Sequence, residues 1–164
     1  MTSVRYATPT DLPLWREIRL RALAESPDAY GSTLARELAF TDAEWAARIA
    51  PPAVLALKGD RPVAMGAGFR QRPGSLTIVA MWVDPTRRRE GLSRRVLDLL
   101  VAWARERDLE VELTVTRGNP AARTAYERYG FVATGQSEPL REGSTVLMDR
   151  MVLPRPTLGG MEPR

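Results

Sequence analysis

The apolar run LTIVAMWV, from Leu76 to Val83, constrains the fold of this chain more than any other segment. A strand with one face exposed to solvent alternates apolar and polar residues, but here apolar residues occur at both the odd and the even positions. A strand of that kind is covered on both faces, as at the centre of a sheet with helices on either side. An arginine-rich turn and a helical pattern follow it directly. The sequence therefore predicts a single α/β domain built around this central strand.

The turn after the strand carries the net charge of the chain. Five arginines, Glu90 and Gly91 lie between Arg87 and Arg95, and this segment alone accounts for the formal net charge of +4. A helix that begins here offers unpaired N–H donors, and a glycine lets a bulky phosphate approach the backbone. The pattern predicts a pyrophosphate site, although a solvated helix start rich in arginine has the same composition. GxxxxGK[ST] and GxGxxG are both absent, which argues against a nucleoside triphosphate or NAD.

The rest of the chain alternates between helical and strand patterns. Helices are predicted over residues 8–27, over a second helical region at 32–50 with capping-box spacing, from residue 92 onward and over 119–130. The helix from residue 92 has an apolar stripe of Leu92, Val96, Leu99, Leu100 and Trp103. Strands are predicted at residues 3–7, in a hairpin over 53–70, and at 76–83, 111–116, 131–137 and 144–153.

Two missing residue types limit the chemistry. The chain has no cysteine and no histidine, so a thiol nucleophile, a zinc-thiolate site and the commonest general base are excluded. Catalysis must then use carboxylates, hydroxyls, phenols and backbone amides, and we expect no metal.

No segment has the length of a signal peptide's apolar core or of a membrane span. We therefore expect a cytoplasmic protein with no membrane or nucleic-acid partner, since the positive charge forms no stripe interleaved with aromatic residues.

Two segments carry spaced motifs, RREGLS from Arg88 to Ser93 and NPAARTAYERYGF from Asn119 to Phe131. Together they resemble the GNAT superfamily of acyl-CoA-dependent N-acyltransferases. In that family (Q/R)-x-x-G-x-(G/A) binds the CoA pyrophosphate, and N-x-x-A-x-x-x-Y followed by G-F forms the second half of the site. The matching residues are Arg88, Gly91 and Ser93, then Asn119, Ala122, Tyr126, Gly130 and Phe131. Ser93 stands where the family usually has Gly or Ala, and its small hydroxyl can donate to phosphate. The resemblance is strongest over residues 76–134.

The resemblance implies an acetyl-CoA-dependent N-acetyltransferase domain over residues 1–153, with residues 154–164 as a loose tail. It implies a mixed, mostly antiparallel sheet of about seven strands flanked by about four helices. The fourth and fifth strands of the family separate, and the pantetheine arm of CoA lies between them. The residues predicted to bind the cofactor are Met81, Val83, Arg88, Arg89, Glu90, Gly91, Leu92, Ser93, Arg94, Asn119, Ala122 and Tyr126. Arg89 and Arg94 also fit solvated side chains at a helix start. Met81 and Val83 would act through the backbone, with one N–H polarising the thioester carbonyl.

Acetyl transfer to an amine needs an acid and the loss of a proton from the amine. Tyr126 occupies the family's thiol-protonating position, and the alternative is that it only packs the helix. The family's usual glutamate on the fourth strand is absent, so Glu37 and Glu44 in the second helical region are the candidate bases. Each also fits an ordinary solvated helix charge, and proton loss through water would need neither.

The acceptor is expected to be a small primary amine. The charges around Glu37 include Glu44 and Asp42 but also Arg36 and Arg48, so there is no strongly acidic groove for a polycation. A protein or peptide N-acetyltransferase and a non-catalytic acyl-CoA-binding regulatory domain are the alternatives. The sequence leaves open a homodimer.

Overall fold

The computed structural model describes residues 1–156, and their backbone forms one seven-stranded sheet with helices on both faces. The strands are β1 (Thr2–Tyr6), β2 (Ala53–Lys58), β3 (Arg61–Phe69), β4 (Ser75–Val83), β5 (Glu110–Thr116), β6 (Val132–Pro139) and β7 (Leu147–Leu153). Their order across the sheet is β1-β2-β3-β4-β5-β7-β6, and only β4 and β5 pair in parallel. The predicted fold class, a mixed and mostly antiparallel sheet of seven strands, is confirmed.

The helices are α1 (Leu12–Glu25), α2 (Leu34–Leu38), α3 (Asp42–Arg48), α4 (Leu92–Glu106) and α5 (Pro120–Tyr129). There are five in the described residues because the second helical region divides in two. Thr41 has an extended backbone and caps α3, accepting a hydrogen bond from the Glu44 N–H, as the capping-box spacing predicts. A capping residue is not itself helical, so α2 has to end before it.

Two apolar cores lie on opposite faces of the sheet. On one face Leu92, Val96 and Leu100 of α4 pack against β2, β3, β4 and β5. On the other face Trp15 and Trp45 pack from α1 and α3. Strand β4 contributes to both cores, so the prediction of a central strand covered on both faces is confirmed.

The end of the chain is described only in part. Residues 154–156 have no regular structure, and the guanidinium of Arg155 pairs with Asp108 and Glu110. The remainder of the predicted tail, residues 157–164, lies outside the described residues. Between residues 1 and 156, no helix is both long enough and apolar enough to cross a membrane.

Candidate active site

Strands β4 and β5 separate halfway along their length. They pair only where Ser75–Ile78 meets Glu110–Leu113, at the start of β4. The second half of β4 also contains an irregularity, because Ala80 has a left-handed backbone with φ of 59° and the register with β3 shifts there. The edge of β4 that faces β5 is therefore open beyond Ile78. This separation agrees with the arrangement that the resemblance implies.

The arginine-rich turn lies at the open end of β4 and leads into α4. Gly91 precedes the first helical residue with φ of 75°, a conformation that other residues adopt only with strain. A Cβ placed on Gly91 would meet no atom within 4 Å, so the turn faces open space. The N–H groups of the first turn of α4 have no partners within the helix. The turn therefore has the geometry of an anion site, with room in front of its backbone.

A first cleft of about 860 Å³ lies between this turn, the open part of β4 and the start of α5. Every residue that the sequence assigns to the cofactor lines it except Glu90. Glu90 is exposed and lies 3.9 Å from Arg87, so its side chain belongs to the outer surface of the turn. The structure brings the remaining predicted residues together, and their binding role stays a prediction.

The side chain of Arg88 lies at the edge of the first cleft and is held by protein groups. Its guanidinium donates to the Val83 carbonyl at 3.1 Å and to the Glu25 carboxylate at 3.2 Å. Trp82 also donates to Glu25, at 2.8 Å. Burial alone would raise the pKa of Glu25, but hydrogen bonds from Ser26, Trp82 and Arg88 outweigh it and the pKa is lowered. Glu25 is thus a charged anchor for Arg88, which the sequence pattern did not reveal.

Asn119 and Tyr126 lie on α5 along the same cleft. The Asn119 side-chain oxygen accepts from the Ala122 N–H at 3.1 Å, and Gly130 ends the helix with φ of 123°. Both helix limits agree with the sequence pattern. The Asn119 cap fixes where α5 begins, and so where Tyr126 lies two turns later.

Tyr126 combines a packed ring with an unengaged hydroxyl. Its ring meets Phe131 edge to face, with centroids 5.9 Å apart. Within residues 1–156 its hydroxyl has no hydrogen-bond partner, and burial raises the pKa of the phenol to about 12. The group therefore stays protonated at neutral pH, as a proton donor must.

A second cleft of about 770 Å³ lies on the other side of the opening between β4 and β5. The two clefts share Tyr126, Met81, Ala29 and Tyr30. Tyr30, in the segment between α1 and α2, donates its hydroxyl to the Met81 carbonyl at 2.9 Å. One acceptor position of the Met81 carbonyl is therefore occupied, and the contact of the Met81 N–H with a ligand stays a prediction. The sequence reasoning missed Tyr30 because its partner lies 51 residues away and no motif marks it.

The two candidate bases have different environments. Glu37 lines the second cleft, is 1% exposed and accepts two hydrogen bonds from Arg19, each 2.9 Å long. Burial alone would raise the pKa of Glu37, but hydrogen bonds from Arg19 and Ser32 and the charges of Arg19 and Arg48 outweigh it, and the pKa is lowered. The interpretation of Glu37 as a solvated charge is therefore wrong. Glu44 is exposed, caps α3 and lines neither cleft.

Comparison with known proteins identifies the family. The sequence profile of the acetyltransferase (GNAT) family matches residues 15–131. The chain belongs to this family. As a GNAT protein it is an N-acetyltransferase, and the profile spans the separated strands, the arginine-rich turn and α5. No curated protein matches the sequence.

Several solved structures share the GNAT fold of this chain. One is yncA from Salmonella typhimurium, a putative acetyltransferase with its cofactor acetyl-CoA, at 16% identity and a TM-score of 0.78 over 100% of this chain and 99% of that one. A second is the ribosomal-protein-alanine N-acetyltransferase from Brucella melitensis, at 23% identity. Its TM-score is 0.71, and the match covers 92% of this chain and 98% of that one. A third is a putative streptothricin acetyltransferase from Bacillus anthracis in complex with acetyl coenzyme A, at 22% identity. Its TM-score is 0.57, and the match covers 63% of this chain and 62% of that one. At these identities the likeness shows the fold alone.

Proposed function

We propose that this GNAT protein transfers the acetyl group of acetyl-CoA to a small primary amine, with Tyr126 as general acid. The observation that supports this most is the meeting of two clefts at Tyr126, where β4 and β5 separate. One cleft has the anion-binding turn at Gly91, and the other opens on the opposite side of the sheet. Two substrates can therefore reach one point from two sides.

In this proposal the first cleft takes acetyl-CoA. The pyrophosphate lies against the N–H groups at Gly91 and the start of α4, where the helix dipole favours negative charge. Arg89 and Arg94 supply positive charge from the same turn. The pantetheine arm runs along the open edge of β4, and its sulfur lies near Tyr126. The known complexes of GNAT proteins with acetyl-CoA support this choice of co-substrate.

The reaction joins the two substrates directly. The neutral amine nitrogen attacks the thioester carbonyl carbon to give a tetrahedral intermediate. The intermediate collapses with cleavage of the C–S bond, and the sulfur takes the Tyr126 proton. The nitrogen releases its extra proton to water as the amide forms, and Tyr126 regains a proton from solvent. The attacked oxygen gains negative charge, and we propose that the Met81 N–H stabilises it. An alkylammonium group has a pKa of roughly 10, so it must lose a proton before it attacks. Glu37 is committed to Arg19, so we propose that this proton leaves through water.

A thiol-release assay tests the proposal. Acetyl-CoA is incubated with the protein and a panel of small amines, amino acids and peptides, and free CoA is measured with a thiol reagent. Calorimetry with acetyl-CoA runs in parallel. Release that depends on a small amine supports the proposal, whereas tight acetyl-CoA binding without release on any acceptor favours a non-catalytic acyl-CoA-binding domain. Release only with peptides favours a peptide N-acetyltransferase.

A further inference from the structure

The second cleft is lined by more positive than negative side chains. The charged residues in its wall are Arg19, Arg36, Arg48, Arg70, Glu37 and Glu138. Arg19 and Glu37 neutralise each other in a buried pair. Three arginines then face one glutamate, which is the charge balance of a site for an anionic group rather than for a polycation.

The three arginines of this rim keep their charge available to a ligand. In the described part of the chain none of them has a carboxylate oxygen within 4 Å. The guanidinium of Arg48 lies over the Phe40 ring, 4.9 Å from its centroid, and that of Arg36 donates to the Ser32 hydroxyl. These contacts hold the side chains without cancelling their charge.

Two buried donors behind the wall of the cleft have no acceptor among the described residues. Trp15 and Arg19 lie one turn apart on α1, line the cleft and are 1% and 9% exposed. Within residues 1–156 the Nε1 of Trp15 and the Nη1 of Arg19 have no acceptor. A buried donor without a partner is costly, so the site matches a group that supplies acceptors. A carboxylate offers two acceptor oxygens, whereas an ammonium offers none.

We infer that the acceptor is a small primary amine that also carries a carboxylate, as an amino acid does. This inference rests on the proposed function and names its substrate class. The carboxylate binds at the arginine rim of the second cleft, on the side where Trp15 and Arg19 form the wall. The amine then lies towards Tyr126, which lines the same cleft. A polyamine would bring two or more positive charges to the arginine rim and is disfavoured.

Matched acceptors test the inference. Each of a set of amino acids is compared with its carboxamide and with the amine that lacks the carboxyl group, and spermidine and peptides with acidic N-terminal residues are included. We expect kcat/KM for the preferred amino acid to exceed that for its carboxamide by roughly 10- to 100-fold, the range of a hydrogen bond to a charged group. Equal or faster release with the carboxamide, spermidine or the peptides would overturn the inference and leave the enzyme's activity established.

Substitutions of the rim arginines test whether they cause the preference for the amino acid over its carboxamide. Arg48→Gln and Arg70→Gln should each raise KM for the amino acid by about 3- to 10-fold, as expected for the loss of one partly exposed charge, and leave KM for the carboxamide and for acetyl-CoA unchanged. Arg16→Gln is the control, since Arg16 is exposed on α1 and lines neither cleft. An equal KM increase for the amino acid and its carboxamide would contradict the inference.

A binding measurement separates this inference from the proposed function. The protein is saturated with CoA and titrated with an N-acetyl amino acid, its carboxamide and the acetylated amine in a calorimeter. Tighter binding of the carboxylate form supports the inference even if no acceptor releases CoA, which would be the failure of the proposed function. Equal binding of the three compounds overturns the inference.

Discussion

Two tyrosine hydroxyls lie where the clefts meet, and their hydrogen bonding separates their roles. Tyr30 donates to the Met81 carbonyl, so its proton is committed to the backbone of β4. Tyr126 has no protein acceptor among the described residues, and its raised pKa keeps its proton in place at neutral pH. Of these two hydroxyls, that of Tyr126 is therefore the one that we propose as the proton donor to the departing sulfur. Tyr30 instead holds the irregular part of β4 in position.

Gly91 carries a prediction at the residue scale. Gly91→Glu places a side chain and a negative charge where the pyrophosphate is expected, so acetyl-CoA affinity should fall by at least about 100-fold, or roughly 2.7 kcal/mol. Calorimetry with acetyl-CoA measures the loss. Gly91→Ala is the matched control, because it imposes the same left-handed strain of about 1 kcal/mol without the charge. Normal acetyl-CoA binding by Gly91→Glu would show that the anion site lies elsewhere.

Among the elements, those that the sequence predicts best have strong local signals. Helix α5 begins at Pro120 after the Asn119 cap and ends at Gly130, and each of these residues acts on its own neighbours. The apolar stripe of α4 and the apolar run in β4 are equally local. Contacts between distant residues leave no such signal. Arg19 and Glu37 are 18 residues apart and carry no periodic pattern, so the burial of Glu37 could not be predicted.

The junction of the clefts was predictable only in part. The motifs around Gly91 and Asn119 predicted the first cleft, because the family resemblance carries both halves of that site. The second cleft includes residues of α1, α2, α3 and the middle of β4, which no motif connects. Its arginines are ordinary surface residues in the sequence. Only the packing of α1 and α2 against the sheet brings Arg19 and Glu37 into one wall.

The ion pair that joins α1 to α2 gives a prediction at the element scale. Glu37→Gln leaves the buried guanidinium of Arg19 without its charge partner, so we expect the free energy of unfolding to fall by about 3–5 kcal/mol. Urea unfolding at pH 7 measures this. Glu44→Gln is the control and should cost about 1 kcal/mol or less, since Glu44 is exposed and only caps α3.

The same pair of variants tests the candidate bases. If the proton of the amine leaves through water, neither substitution should change the shape of the pH profile of kcat. A loss of rate confined to low pH, where the amine is mostly protonated, would assign the base to the residue whose substitution causes it. For Glu37→Gln the comparison is made below the unfolding transition of the variant.

In the molecule as a whole, a charged network ties the sheet together where β4 and β5 still pair. Glu112 of β5 is buried and accepts from Arg72, from Arg150 of β7 and from the Thr77 hydroxyl of β4. Burial alone would raise the pKa of Glu112, but these donors outweigh it and lower the pKa from 4.5 to about 2. The network lies at the closed end of the opening that forms the two clefts.

This network predicts how stability depends on pH. Because the folded-state pKa of Glu112 is lowered, its contribution is fully present above pH 4.5 and is lost as the pH falls towards about 2. The free energy of unfolding should therefore decline over that interval. Glu112→Gln should be less stable at pH 7 and decline less steeply, as urea unfolding at successive pH values would show. An equally steep decline in the variant would mean that other carboxylates account for the acid sensitivity.

The central claim is that Tyr126 donates the proton to the departing sulfur, and Tyr126→Phe tests it most directly. The substitution keeps the ring that packs on Phe131 and removes only the hydroxyl. The matched control is Tyr129→Phe, whose hydroxyl donates to Asp98 at 2.7 Å while its ring lines the same first cleft. Single-turnover kinetics with saturating acceptor measure the chemical step without product release. We predict that Tyr126→Phe slows this step by about 10²- to 10⁴-fold, with acetyl-CoA affinity and Tm unchanged, while Tyr129→Phe leaves it near the original rate. Full turnover by Tyr126→Phe would contradict the account and leave Tyr126 a packing residue.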